Sequence, residues 1–269
     1  ILAPILAPYN TYDTATFDIM EAETPPAWME DGSKSFILGT DIQGRDLLST
    51  MIYGLRVSLL IGVGAVLLQA FVGILVGLFS GYLGGKLDSF LMRITDIQFS
   101  IPYLIVAIFT SAIFKLAFGV GRYAELAVPL LIVIIGVSNW PIYARTVRAS
   151  VLGEKNKEYV EAARVIGISR WRIMFRHVLP NTLTPVLVIS TIQVAEAVMS
   201  EAALSFLGLG MPITKPSLGA LIRSGFEYIF SGSWWITFFP GILLVVFIMV
   251  IILLGDWLRD VLNPKLYKG

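Results

Sequence analysis

Two groups of residues in this chain have types and spacings suited to a molecular task. The first lies in the segment 158–180, EYVEAARVIGISRWRIMFRHVLP. Tyr159, Ala162, Ala163 and Ile166 recur at i, i+3, i+4 and i+7, which is one face of a helix. Gly167 stands where that helix would end, because glycine tolerates the left-handed conformation of a C-terminal turn. Ser169 is placed to cap a second helix, which carries Arg170, Arg172 and Arg176 up to Leu179 and Pro180. Two short helices meeting at a glycine turn would present Glu161, small Ala162 and Ala163, and the arginines together. Such a surface makes contacts and does no covalent chemistry. It suits docking of another protein, and it also suits an amphipathic helix resting on anionic headgroups.

The second group is polar and sits in apolar surroundings. Gln193, Glu196 and Glu201 interrupt the long uncharged run that follows Pro180. A carboxylate in mid-span costs about 2.5–3.5 kcal/mol on insertion scales, so it faces a water-filled interior or a specific partner. Gln193 and Glu196 are three apart and share a helix face; we read them as pointing to a translocation path. Glu201 lies five residues beyond Glu196, a rotation of roughly 140°, and we read it as a structural contact at an outer interface. Asn139, followed by Trp140 and Pro141, either lines the same path or marks a kink.

Other chemistry is excluded by composition. There is no cysteine and a single histidine, His177, so thiolate chemistry and a histidine-based metal cluster are ruled out. No G-x-x-x-x-G-K-[ST], G-x-S-x-G or H-E-x-x-H pattern occurs, so neither ATP binding by this chain nor hydrolysis is expected. A net charge of +1 supplies no field for nucleic acid.

The elements that must hold these residues are membrane helices. Of the 269 residues, 56% are hydrophobic and only 14% charged, with a mean hydropathy of +0.79. A soluble domain of this size could not hide that much apolar surface, whereas lipid solvates it. Crossing the hydrocarbon core takes about 20 apolar residues. Five stretches qualify: 57–80, 97–114, 126–144, 178–195 (running on to about 205) and 234–254. The expected fold is therefore all-α, a polytopic transmembrane helical bundle with a two-helix loop. Residues 1–8 read as the end of a further N-terminal span, cut from the chain. In the first visible span Gly73 and Gly77 form a small-x-x-x-small face for close helix packing, or simply reflect the frequency of glycine in membrane helices.

Placing the loop 145–177 in the cytoplasm and alternating sides puts 13 of the 20 Lys and Arg inside, among them Arg259, Lys265 and Lys268, and 7 outside, among them Lys115, Arg122, Lys215 and Arg223. That bias supports this orientation. Residues 9–56 then face outward, as an acidic, turn-rich solvated loop followed by an interfacial helix at 46–55. Residues 57–269 form the membrane domain, including the cytoplasmic loop 150–180. The outer segment 207–227, with Leu218, Leu221 and Ile222, reads as a loop and a short surface helix.

Glu161-Ala162-Ala163, three residues, Gly167, then Leu179-Pro180 resembles the EAA loop of ABC-importer permeases. The form Arg176-His177-Val178-Leu179-Pro180-Asn181 is similar to the dipeptide and oligopeptide branch. So are Leu38-Gly39-Thr40-Asp41 with Gly44-Arg45-Asp46, the run Ala202–Gly210, and the ending Leu254-Gly255-Asp256-x-Leu258-Arg259-Asp260. The resemblance covers the chain from about residue 36 and identifies the C-type permease of that branch.

The resemblance implies a subunit of an ATP-driven peptide importer in a bacterial or archaeal inner membrane. Its partners would be a homologous second permease, two cytoplasmic ATPases that hold the ATP and Mg, and an extracytoplasmic peptide-binding protein. Glu161 would meet the ATPase, Ala162 and Ala163 would allow close approach, Gly167 would permit the turn, and Arg170 and Arg172 would flank the contact. Within this branch some importers carry nickel or other small solutes. The competing class is a self-sufficient secondary transporter, whose inverted repeats are not found here.

Overall fold

The computed structural model describes residues 3–13 and 18–261; Ile1, Lys265 and Lys268 lie outside them. Among the described residues the structure is helical, with one isolated bridge between Thr40 and Asp46. The helices are α1 (Ala3–Leu6), α2 (Leu47–Leu83), α3 (Gly85–Ser100), α4 (Tyr103–Glu154), α5 (Glu158–Val165), α6 (Arg170–Ile173), α7 (Leu179–Phe206), α8 (Leu218–Phe226) and α9 (Trp235–Val261). A π turn, Met174–Val178, joins α6 to α7. Among the described residues, four elements are long and apolar enough to cross a membrane: α2, α4, the stretch Arg170–Phe206, and α9.

The five expected spans fall on these four elements. The second and third both belong to α4, where the expected intervening loop is absent. The chain stays helical there and breaks at Gly119, whose φ of 79° and ψ of 164° leave the helical region. The second span also starts later than expected. Residues 97–100 close α3, because Pro102 forces Ile101 into an extended conformation (φ −98°, ψ 117°). The separate interfacial helix expected at 46–55 is instead the opening of α2. Asp46 caps it, its Oδ2 accepting from the Ser49 amide at 2.8 Å and the Ser49 hydroxyl at 2.6 Å.

The chain divides into two compact units. The first comprises residues 1–63, 107–131 and 196–250. Its core contains Leu47, Met51, Leu221, Trp235 and Ile236. Within the segment 18–46, expected as a solvated loop, residues 40–46 are packed into this unit, while Ile19, Met20, Trp28 and Ile37 are exposed. Asp41 and Arg45 are buried as an ion pair at 2.7 Å, the Trp235 indole donates to the Thr40 carbonyl at 3.2 Å, and the Ser233 hydroxyl donates to Glu23 at 2.6 Å. Unpaired, a buried charge would be prohibitive, so Asp41 and Arg45 go in together. The segment α8 is likewise no surface helix. Its Leu218, Gly219, Ala220 and Leu221 are buried, and Ser217 caps it by accepting from the Ala220 amide.

The second unit comprises, among the described residues, 64–106, 132–195 and 251–261. Here the glycine face of α2 meets α4 directly. A Cβ on Gly73 would lie 2.3 Å from the Tyr143 Cβ, and one on Gly77 2.5 Å from the Ala144 carbonyl oxygen. Gly81, the next in the row, would clash with Val151 at 2.9 Å. Close packing, rather than the mere abundance of glycine, explains this row.

Candidate functional site

The elbow at 158–177 forms as two helices. Glu158 and Glu161 occupy the first turn of α5 and Arg164 the last, which matches the helix dipole at both ends. The helix closes on Gly167, whose φ is 85°. The Gly167 amide donates to the Arg164 carbonyl at 3.0 Å, and the Ile168 amide donates to the Ala163 carbonyl at 3.1 Å. This pair of bonds is the Schellman arrangement. Nothing lies within 4 Å of where a Gly167 side chain would begin, so the requirement for glycine is one of backbone conformation alone. Ser169 begins α6 with its carbonyl, which accepts from the Ile173 amide at 3.0 Å. Its hydroxyl makes no capping bond, contrary to expectation.

Of the four residues that share a face of α5, only Ala163 turns inward. Val160 and Ala163 are the buried pair, while Tyr159, Ala162 and Ile166 are exposed. The reason is chemical. A phenol buried on the apolar face would need a partner, and Tyr159 finds its partners at the edge. Its hydroxyl donates to Glu154 Oε1 at 2.7 Å and accepts from the Asn181 amide at 3.2 Å. Burial, then the neighbouring Glu154 carboxylate, pushes the Tyr159 phenol up from its ordinary range. Val160 takes the interior position at no such cost.

The elbow is fastened to its neighbours by polar contacts that sequence reasoning missed. Lys155 donates to the Gly81 carbonyl at 2.7 Å, and Arg164 donates to the Lys155 carbonyl at 3.2 Å. Arg148 grips Asp88 with two bonds of 2.6 Å, and the Ser80 hydroxyl donates to the same carboxylate. The Arg148 guanidinium, ahead of other causes, holds the Asp88 carboxyl below its usual range. The Phe79 ring meets Trp171 and Phe175 edge-on, with centroids 6.2 and 6.3 Å away. Residues 60 and 74 positions apart in sequence are paired here, and no local pattern announces them.

The outward side carries Glu161, Ala162, Arg170 and Arg172, all exposed. At its tip Val165 and Ile166 are 87% and 78% exposed, with Trp171 at 57%. A pocket of about 470 Å³, lined by Tyr82, Leu83, Arg164, Ile168, Arg170 and Ile173, opens beside it. The result is an apolar tip with a basic rim, on a backbone held by its own hydrogen bonds.

The three expected path residues are not gathered at the elbow. Asn139, on α4, is half-buried; Gln193, on α7, is buried; Glu196, on α7, is half-buried. Glu201 is fully buried and structural, as expected of it. The Ser58 hydroxyl donates to its Oε2 and the Ser205 hydroxyl to its Oε1, both at 2.6 Å. Ser205 in turn accepts from the Met211 amide at 2.9 Å, which ties the 207–211 turn to this carboxylate.

Comparison with known proteins agrees with this architecture. Residues 73–268 match the family described as binding-protein-dependent transport system inner membrane component. The di/tripeptide transport system permease of Pseudomonas aeruginosa is 38% identical over 99% of this chain and 83% of its own length. The dipeptide permease of Escherichia coli is 38% identical over 99% of this chain and 84% of its own. The oligopeptide permease of Bacillus subtilis is 35% identical over 100% and 83%. Among solved structures, an inward-facing form of the MetNI methionine ABC transporter aligns with a TM-score of 0.64 over 81% of this chain and 98% of its own, at 21% identity. That likeness speaks to the fold.

Proposed function

Because the chain belongs to the family of inner membrane components of binding-protein-dependent transport systems, we propose that it is the C-type permease of an ATP-driven importer of di- and oligopeptides. As an ABC-importer permease it works with an ATPase and a substrate-binding protein. The finer reading is a heterodimer with a homologous permease, two cytoplasmic ATPases that bind ATP and Mg, and an extracytoplasmic peptide-binding protein. The peptide substrate rests on the relatives, whose names specify dipeptides, tripeptides and oligopeptides.

The observation that carries the coupling role is the exposed elbow closed at Gly167, with an apolar tip and basic rim. Glu161 meets the ATPase surface, Ala162 keeps the approach close, Ala163 seats α5 on the bundle, and Arg170 and Arg172 flank the groove. The polar fastenings around Lys155, Tyr159 and Asn181 support transmission from the elbow to the spans. Gln193, Glu196 and Asn139 line the path, and this chain performs no covalent step.

The test is reconstitution of the assembled transporter with Gly167→Leu or Glu161→Lys. We expect ATP hydrolysis to persist while peptide uptake falls at least roughly tenfold, which corresponds to about 1.4 kcal/mol of coupling free energy. Unchanged uptake in both variants would remove the elbow from the coupling machinery.

A further inference from the structure

We propose that Lys115 and Arg223 form a site for a compact oxyanion, and that its occupant is the terminal carboxylate of the carried peptide. The two cations line one pocket of about 220 Å³ together with Tyr123, Ser205, Gly208, Gly210 and Pro212. Both are half-buried, and among the described residues no carboxylate pairs with either in an ion pair. Two like charges held in one partly desolvated cavity repel each other, and an anion between them removes that cost.

The pocket is built and not incidental. The turn 208–210 is stapled to α4 by three donors. Lys115 Nζ donates to the Gly208 carbonyl at 3.1 Å, the Ser111 hydroxyl donates to the Leu209 carbonyl at 3.2 Å, and the Tyr123 hydroxyl donates to the Gly210 carbonyl at 2.9 Å. The ammonium also sits 4.3 Å from the centre of the Tyr123 ring, which fixes its position. That leaves Lys115 with donors to spare. Arg223 lies against the turn at Gly208. A Cβ on Gly208, whose φ is 79°, would fall 1.7 Å from Arg223 Nη1. The guanidinium fork has the geometry for a carboxylate.

The charge bias across the spans puts Lys115 and Arg223 on the side opposite the elbow. A peptide arriving from outside reaches that side first. The assignment of the anion to a solute rests on the peptide-importer reading, because every linear peptide ends in a carboxylate. An anionic lipid phosphate offers the same chemistry from another source.

The experiment uses the assembled transporter in phosphatidylcholine nanodiscs. Lys115 is acylated with an amine-reactive ester and quantified by mass spectrometry, with a dipeptide, with its C-terminal amide, or with neither. The dipeptide, at concentrations that saturate uptake, is expected to protect Lys115, and the amide is not. Arg223→Gln is expected to raise the half-protecting concentration roughly tenfold, as loss of one charge-assisted partner would, and Arg223→Lys by less. Equal protection by peptide and amide overturns the site. So does an empty transporter in which Lys115 resists acylation, because the pocket would then be closed to solutes. Protection that follows added phosphatidylglycerol and ignores peptide assigns the cations to lipid and overturns the solute carboxylate. Peptide uptake by the unmodified transporter is measured alongside. Uptake without protection removes this site and leaves the importer reading standing; absence of uptake refutes the peptide reading itself.

Discussion

The grip of Arg148 on Asp88 makes a quantitative prediction. Two bonds of 2.6 Å join the guanidinium to the carboxylate, whose side chains are 33% and 17% exposed. Charge-assisted hydrogen bonds contribute roughly 1.5–3 kcal/mol when shielded, while a fully exposed pair contributes about 0–1 kcal/mol. A bidentate pair with this exposure belongs between those limits, so we expect a coupling of about 1.5 kcal/mol. The measurement is a double-mutant cycle with Asp88→Asn, Arg148→Gln and the double variant, each unfolded in micelles by a denaturing detergent. Additivity to within about 0.5 kcal/mol would refute the claim that this pair binds the start of α3 to α4. The pH dependence gives a second handle. Arg148 lowers the Asp88 carboxyl relative to the unfolded chain, so the stabilisation is present above the unfolded value. It is lost as the pH falls through the folded one. A contribution that vanished instead on raising the pH would contradict the assignment.

Three further outcomes are expected. Gly77→Ala places a methyl 2.5 Å from the Ala144 carbonyl oxygen and should destabilise by about 1–3 kcal/mol, whereas Gly241→Ala, with nothing within 4 Å, should stay within about 1 kcal/mol; the same unfolding assay reads both. Glu201→Leu strands the Ser58 and Ser205 hydroxyls that now donate to it and should cost about 2–4 kcal/mol, with Glu201→Gln, which keeps one acceptor, costing less. Gly167→Ala should loosen the elbow by about 1 kcal/mol through its positive φ alone, and Gly167→Asn by less, read as faster exchange of the amides of Ile168 and of the substituted residue.

Much of the fold could be read from hydropathy, because a bilayer demands long apolar stretches whatever their neighbours. The Gly167 turn was legible for a similar reason: the left-handed closing conformation almost requires glycine, so chemistry and position coincide. The burial of Val160 beneath α5 could not be read, because Tyr159 and Val160 compete for the interior and only the hydrogen-bonding partners of the phenol decide between them. The loop expected between 114 and 126 was misjudged, since Lys115, Arg122 and Glu125 interrupt the apolar run without ending the helix, and the chain leaves helical geometry only at Gly119. The buried Asp41–Arg45 pair looked like solvated loop charge, because sequence does not show that the two neutralise each other. Nothing local foretold that Lys155 would reach Gly81.

The row Gly73, Gly77 and Gly81 repeats every four residues, and the segment of α4 it touches runs from Trp140 to Val151. Two helices meshed like this, backbone to backbone, behave as a rack against its pinion bar. Backbone atoms of Trp140, Ala144 and Arg148 lie directly against the row, with little side chain between to absorb a small displacement. A displacement of one helix at this contact is therefore passed directly to the other. A transporter built on this pairing switches between discrete settings instead of drifting through a continuum.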